Sequence, residues 1–125
     1  MRRVVVESPF AGNVIQRWLN RRYARRCLRD CLQRGESPFA SHLLYAQPGV
    51  LRDGVAHERD LGIRAGLEWG EQAQVTAVYV DRGISAGMQR GIEAAEKAGR
   101  PVERRSLRGE MWARSFDYSK LEERR

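Results

Sequence analysis

The stretch Val75-Thr76-Ala77-Val78-Tyr79-Val80, followed by Asp81-Arg82-Gly83-Ile84-Ser85-Ala86-Gly87-Met88, decides the fold. The unbroken β-branched, aromatic and small apolar run reads as a strand, and Asp81-Arg82-Gly83 as the turn out of it. Met88, Ile92 and Ala95 then recur on one side of a helix expected from about Ser85 to Ala98, which Gly99-Arg100-Pro101 ends. Val102 to Arg104 makes a final short strand. A strand, a crossing helix and a second strand in that order form a parallel pair.

Working upstream, Arg3 to Val6 is a β-branched run closed by the turn residues of Ser8-Pro9-Phe10-Ala11-Gly12-Asn13. Apolar residues recur at Val14, Ile15, Trp18, Leu19, Tyr23, Ala24, Cys27, Leu28, Cys31 and Leu32, the spacing of a buried helix stripe. Asn13 is its N-cap and Gly35 its stop. Pro38 to Tyr45 suits a second strand running into the loop Gln47-Pro48-Gly49. Leu61, Ala65, Leu67 and Trp69 suggest a helix from about Ala56 to Ala73. Gly62, Gly66 and Gly70 weaken it by about 1 kcal/mol each relative to alanine and give it a face that another backbone can approach. The order β-α-β-α-β-α-β predicts an α/β, Rossmann-like domain: a short parallel sheet of about four strands with helices on both faces. That domain spans residues 1–105. The tail, 106–125, carries Trp112, Phe116 and Tyr118 and is expected to dock on the domain or on a neighbouring subunit.

A chain of 125 residues fits one domain that folds without disulfides or a structural metal. Cys27 and Cys31 share one helix side and have no partner ligands elsewhere, which makes them buried thiols of a reducing compartment rather than a metal or redox pair. The apolar run Val4-Val5-Val6 is far too short for a secretory signal, so a cytoplasmic protein is expected. The formal charge of +7 favours anionic partners. Almost all of it is arginine, since Lys97 and Lys120 are the only lysines. Arginine matches phosphate and carboxylate with a planar fork, but a GC-rich genome yields the same composition. In the first helix Arg22, Arg25, Arg26 and Arg29 form a ridge beside the apolar stripe, either a solvated face or a contact for nucleic-acid phosphates through Arg22, Arg25 and Arg26.

Ligands of open parallel sheets sit outside the carboxyl ends of the strands. Three loops qualify here: Glu7 to Asn13, the Ser41-His42 region, and Asp81 to Gly87. In the third, Ser85 is an N-cap and the glycines let backbone amides approach a phosphate, unless the loop is only a turn and a cap. Glu7 and Asp60 are the candidate acid/base carboxylates, against surface pairing with arginine. His42 reads as a pocket donor or acid, or as a histidine satisfied by backbone. With no phosphate-loop, dinucleotide or metal-ligand spacing, neither cofactor nor metal is expected.

The segment from Asp81 through Ser85, Gly87, Met88, Gly91 and Gly99 to Val102 resembles the last strand-loop-helix-strand of the nucleoside 2-deoxyribosyltransferase-like superfamily. His57-Glu58-Arg59-Asp60-Leu61 resembles that superfamily's acidic helix opening, and Val4 to Gly12 its first strand and Gly/Pro loop. The likeness spans most of residues 3 to 104. It implies a nucleotide-sized pocket and N-glycosidic bond cleavage or base exchange, in oligomers whose subunits complete one another's sites. The expected ligand-binding residues are Ser8, Phe10, Gly12, His42, Ser85, Gly87 and Met88, with a phosphate at the Ser85-Ala86-Gly87-Met88 loop and the sugar or base near Glu7, Phe10, His42 and Asp60. Asp60 matches an aspartate acting near the leaving base, although its spacing to the next strand is longer. In the family a glutamate four residues after the loop glycine attacks the sugar; here that position is Gly91, which cannot. The resemblance therefore leaves two expectations open, a nucleotide-binding protein or a glycosidase with a relocated carboxylate.

Overall fold

The computed structural model describes residues 1–107. Its centre is β3 (Val75–Tyr79), buried along its whole length, as expected for a strand covered on both faces. The sheet order is β2-β1-β3-β4, all parallel, with β1 at Arg3–Glu7, β2 at Ser37–Phe39 and β4 at Val102–Arg105. Val4 and Val6 lie opposite Val75 and Ala77, and Tyr79 opposite Arg105. The pleat sends Val4, Val6, Val75, Ala77 and Tyr79 to one face, where they pack on Tyr23, Cys27 and Cys31 of α1 (Val14–Gln33). On the other face Val78 packs on Met88 and Ile92 of α4 (Ala86–Lys97). An α/β sheet with helices on both faces is what the sequence predicts.

Helix α1 begins and ends at the expected residues. Asn13 and Gln16 form a reciprocal capping box, and Gly35 adopts a φ of 78°, where a side chain would be strained. Its apolar stripe departs from expectation: Val14 and Ile15 are 73% and 70% exposed, and Trp18 and Leu19 are exposed too. Length explains this. Twenty helical residues reach about 30 Å, whereas a five-residue strand spans about 17 Å. Burial starts at Asn20 and Tyr23, so the first turns of α1 overhang the carboxyl ends of the strands.

The second strand also departs from expectation. It stops at Phe39, and Ser41–Tyr45 form a short helix, α2, so His42 sits in a helical turn. Apolar residues of a one-turn helix cannot be distinguished by period from those of a short strand. Helix α3 (Ala56–Gly70) follows and packs against α2. Gly66 makes that approach possible, since a β-carbon there would stand 2.6 Å from Ser41 Cβ; one on Gly62 would stand 3.1 Å from Leu51 Cδ1, in the loop that follows α2. Leu61, Leu67 and Trp69 face solvent instead of a core. The tail's aromatics lie outside the described residues.

Charged groups close the α1 side of the sheet. Arg105 donates to both oxygens of the fully buried Glu36, which also accepts from Arg2, and Tyr79 Oη donates to Asp30 at 2.5 Å. Both cysteines are buried free thiols, and Cys31 Sγ lies 3.3 Å from Tyr79 Oη. Burial pushes the Cys31 thiol up to about 11, so it stays protonated.

Candidate active site at the carboxyl ends of the strands

Residue alternation along β1 puts Glu7 on the face away from Val4 and Val6, the face that α4 covers. There its carboxyl group lies directly on Gly91. A β-carbon at position 91 would stand 2.3 Å from both Cδ and Oε2 of Glu7 and 2.7 Å from Oε1, closer than any side chain permits. The glycine is therefore the condition for Glu7 to occupy this place. Burial raises the Glu7 carboxyl to about 8, against a smaller opposing pull from the Arg100 guanidinium. Arg100 is itself held by Thr76 Oγ1 and the Gly70 carbonyl.

The next residue, Ser8, is buried, and its Oγ lies 2.9 Å from His42 Nε2. The Phe10 ring meets the His42 ring edge-on at 5.9 Å. Burial pushes His42 down to about 4, so the imidazole is neutral at physiological pH and can share a proton with the serine hydroxyl. Gly12 is held at φ +147° against the Gln16 side chain that closes the α1 cap. Ser8, Phe10 and His42 thus form one cluster, reached from β1 and α2.

At the mouth of α4, Ser85 is the N-cap as expected. Its Oγ accepts from the Met88 amide at 3.2 Å, and its own amide approaches Met88 Sδ at 3.4 Å. Accepting one bond leaves the Ser85 hydroxyl proton to donate outward. Gly87 is exposed on the first turn, whereas Met88 is buried against Val78. Asp60 lies in the second turn of α3, two-thirds exposed and 4.0 Å from Arg64.

Two anchoring residues went unread in the sequence. Asn20, 4% exposed, donates to the carbonyls of Phe10 and Ala11 and accepts from Arg82 Nε, tying the first loop to the third. Asp81, read only as a turn residue, accepts from Tyr23 Oη, Ser106 Oγ and the Leu107 amide. A polar residue in phase with the buried stripe was the available signal for Asn20. Of the basic ridge, Arg22 lies over the Trp18 ring at 5.6 Å and Arg25 is exposed.

Over residues 2–105 the chain matches the model of a family described as a domain of unknown function, DUF7768. The chain belongs to this DUF7768 family. No curated protein matches it. Among solved structures, this DUF7768 domain is similar to a 2-deoxyribosyltransferase from the psychrotolerant bacterium Bacillus psychrosaccharolyticus. The TM-score is 0.60 at 20% identity, with 95% of each chain covered. The DUF7768 domain thus has the nucleoside deoxyribosyltransferase-like fold that the sequence resemblance implied. Among the described residues, no helix is long and apolar enough to cross a membrane.

Proposed function

We propose that this domain binds a nucleoside or nucleotide at the carboxyl ends of β1 and β3 and breaks or exchanges its N-glycosidic bond with the Glu7 carboxylate. The observation that carries the reading is the seat of Glu7 on Gly91. The resemblance places the family's nucleophilic glutamate at position 91, and here a carboxylate reaches that place from the neighbouring strand. The solved structure of the same fold is described as a 2-deoxyribosyltransferase, which supports this substrate class. In this reading Ser8, Phe10, Gly12 and His42 surround the sugar or base, and Ser85, Gly87 and Met88 build the turn that receives a phosphate. Glu7 in its ionised form attacks the anomeric carbon, the base leaves with the bond's electron pair and takes a proton from solvent, and water or a second base then displaces the Glu7 carboxylate from the sugar.

The test is base release and exchange, measured with a panel of nucleosides and nucleoside monophosphates alongside ligand-induced thermal shift. Glu7→Gln is expected to lower turnover by about 100-fold or more while the thermal shift persists. The double variant Glu7→Ala/Gly91→Glu, which returns the carboxylate to the helix, is expected to recover part of the loss. Full turnover in Glu7→Gln would sink the catalytic reading. A thermal shift without turnover in the unsubstituted protein would leave a ligand-holding site without chemistry.

A further inference from the structure

The first turns of α1 present Val14, Ile15, Trp18 and Leu19 to solvent, exposed by 73%, 70%, 53% and 37%. An overhanging apolar stripe beside a buried one is a face with a missing partner. The described chain ends next to it. Leu107 is 8% exposed and shares a surface recess with Leu19 and Tyr23, while Asp81 holds the Leu107 amide and the Ser106 hydroxyl in place. The exit point of the remaining residues is therefore fixed on α1, at the inner end of the stripe.

We propose that the chain's own C-terminal segment covers this stripe, with Met111 and Trp112 packing on Ile15, Trp18 and Leu19. Distance permits it. From Tyr23 back to Val14 the helix rises about 13 Å. The five residues 108–112 span up to about 17 Å extended and about 7 Å if helical, so either geometry brings Trp112 onto the stripe. Composition favours it as well, because Met111, Trp112, Phe116 and Tyr118 supply apolar surface that a solvated tail does not need. Leu107 already occupies the first position of this path.

Disulfide trapping in the full-length protein tests this. In Trp18→Cys/Trp112→Cys, mild oxidation is expected to form an intramolecular bond in most molecules, at monomer mass and independently of protein concentration. The native Cys27 and Cys31 are buried at 0% exposure and do not compete. Ile15→Cys/Met111→Cys is a second pair on the same stripe, and Trp69→Cys/Trp112→Cys, with its first cysteine on the exposed side of α3, is the control, expected to react at least several-fold more slowly. Concentration-dependent dimers would assign the stripe to a second copy of the chain and overturn the proposal. Equal rates at the stripe and on α3, or no bond in either stripe pair, would overturn it too.

Discussion

At the scale of single residues, Glu7 and Gly91 form one unit. The glycine removes the side chain that would stand 2.3 Å from the carboxyl, and the carboxyl fills the space so vacated. Gly91→Ala therefore has to push Glu7 out. It is expected to cost about 1–3 kcal/mol in denaturant unfolding. Combined with Glu7→Ala the cost should largely disappear, a coupling that a double-mutant cycle measures. The pH dependence has a definite sign. Glu7 is raised to about 8 in the folded protein from its ordinary 4.5, so the folded state holds a proton that the unfolded chain releases between those values. Its contribution to stability is complete below about 4.5 and is lost as pH rises through 8. Melting temperatures should show Glu7→Gln gaining on the unsubstituted protein between pH 5 and pH 8. Under the proposed chemistry turnover follows the ionised form, so it rises with pH, is half-maximal near pH 8 and levels off only above that. Asp60 is two-thirds exposed beside Arg64, and Asp60→Asn should change turnover far less than Glu7→Gln.

At the scale of elements, the glycine repeat of α3 and the one-turn helix α2 explain each other. Gly66 brings α3 against Ser41, the residue before His42, and His42 holds Ser8 at the end of β1. Gly66→Ala should thus force α2 away, costing about 1–3 kcal/mol and displacing His42 from Ser8. Ser41→Gly in the same chain should restore much of the loss, read by thermal unfolding together with the titration of His42 by NMR. In that experiment His42, held near 4 by burial in the intact protein, should move up toward its ordinary value when α2 is displaced. The strand-turn-helix of residues 75–98 was legible because each signal agreed: a β-branched run, a glycine turn, a serine cap and a helical period. Residues 37–45 were not legible in the same way, since a three-residue strand and a five-residue helix are too short to show a period.

At the scale of the whole molecule, buried charge links the first strand to the last. Arg105 and Arg2 neutralise Glu36, which has no exposure to water, and Asp81 joins α1, β3 and the start of the C-terminal segment. Removing one partner strands the other, so Arg105→Met should cost about 3–5 kcal/mol, and Glu36→Gln/Arg105→Met much less than the sum of its parts. Paired arginines hold Glu36 below the ordinary carboxylate range despite its burial, and hydrogen bonds from Ser106 and Tyr23 do the same for Asp81. The stability these groups contribute is present above about pH 4.5 and is lost as the pH falls through their lowered values. Acid unfolding followed by circular dichroism should begin at a higher pH in Asp81→Asn than in the unsubstituted chain.

The sequence by itself determined the α/β class, the strand at Val75–Tyr79, the caps at Asn13 and Ser85, and the absence of a carboxylate at position 91. All of these are local: propensity, period, turn chemistry and a single residue's identity decide them. Only the tertiary structure decided that Glu7 fills the space above Gly91, that α1 overhangs the sheet and leaves Val14 to Leu19 uncovered, and that Asn20, Glu36 and Asp81 bind distant elements together. Those facts depend on the relative lengths of helix and strand and on which residues the parallel register sets side by side. A linear period carries neither.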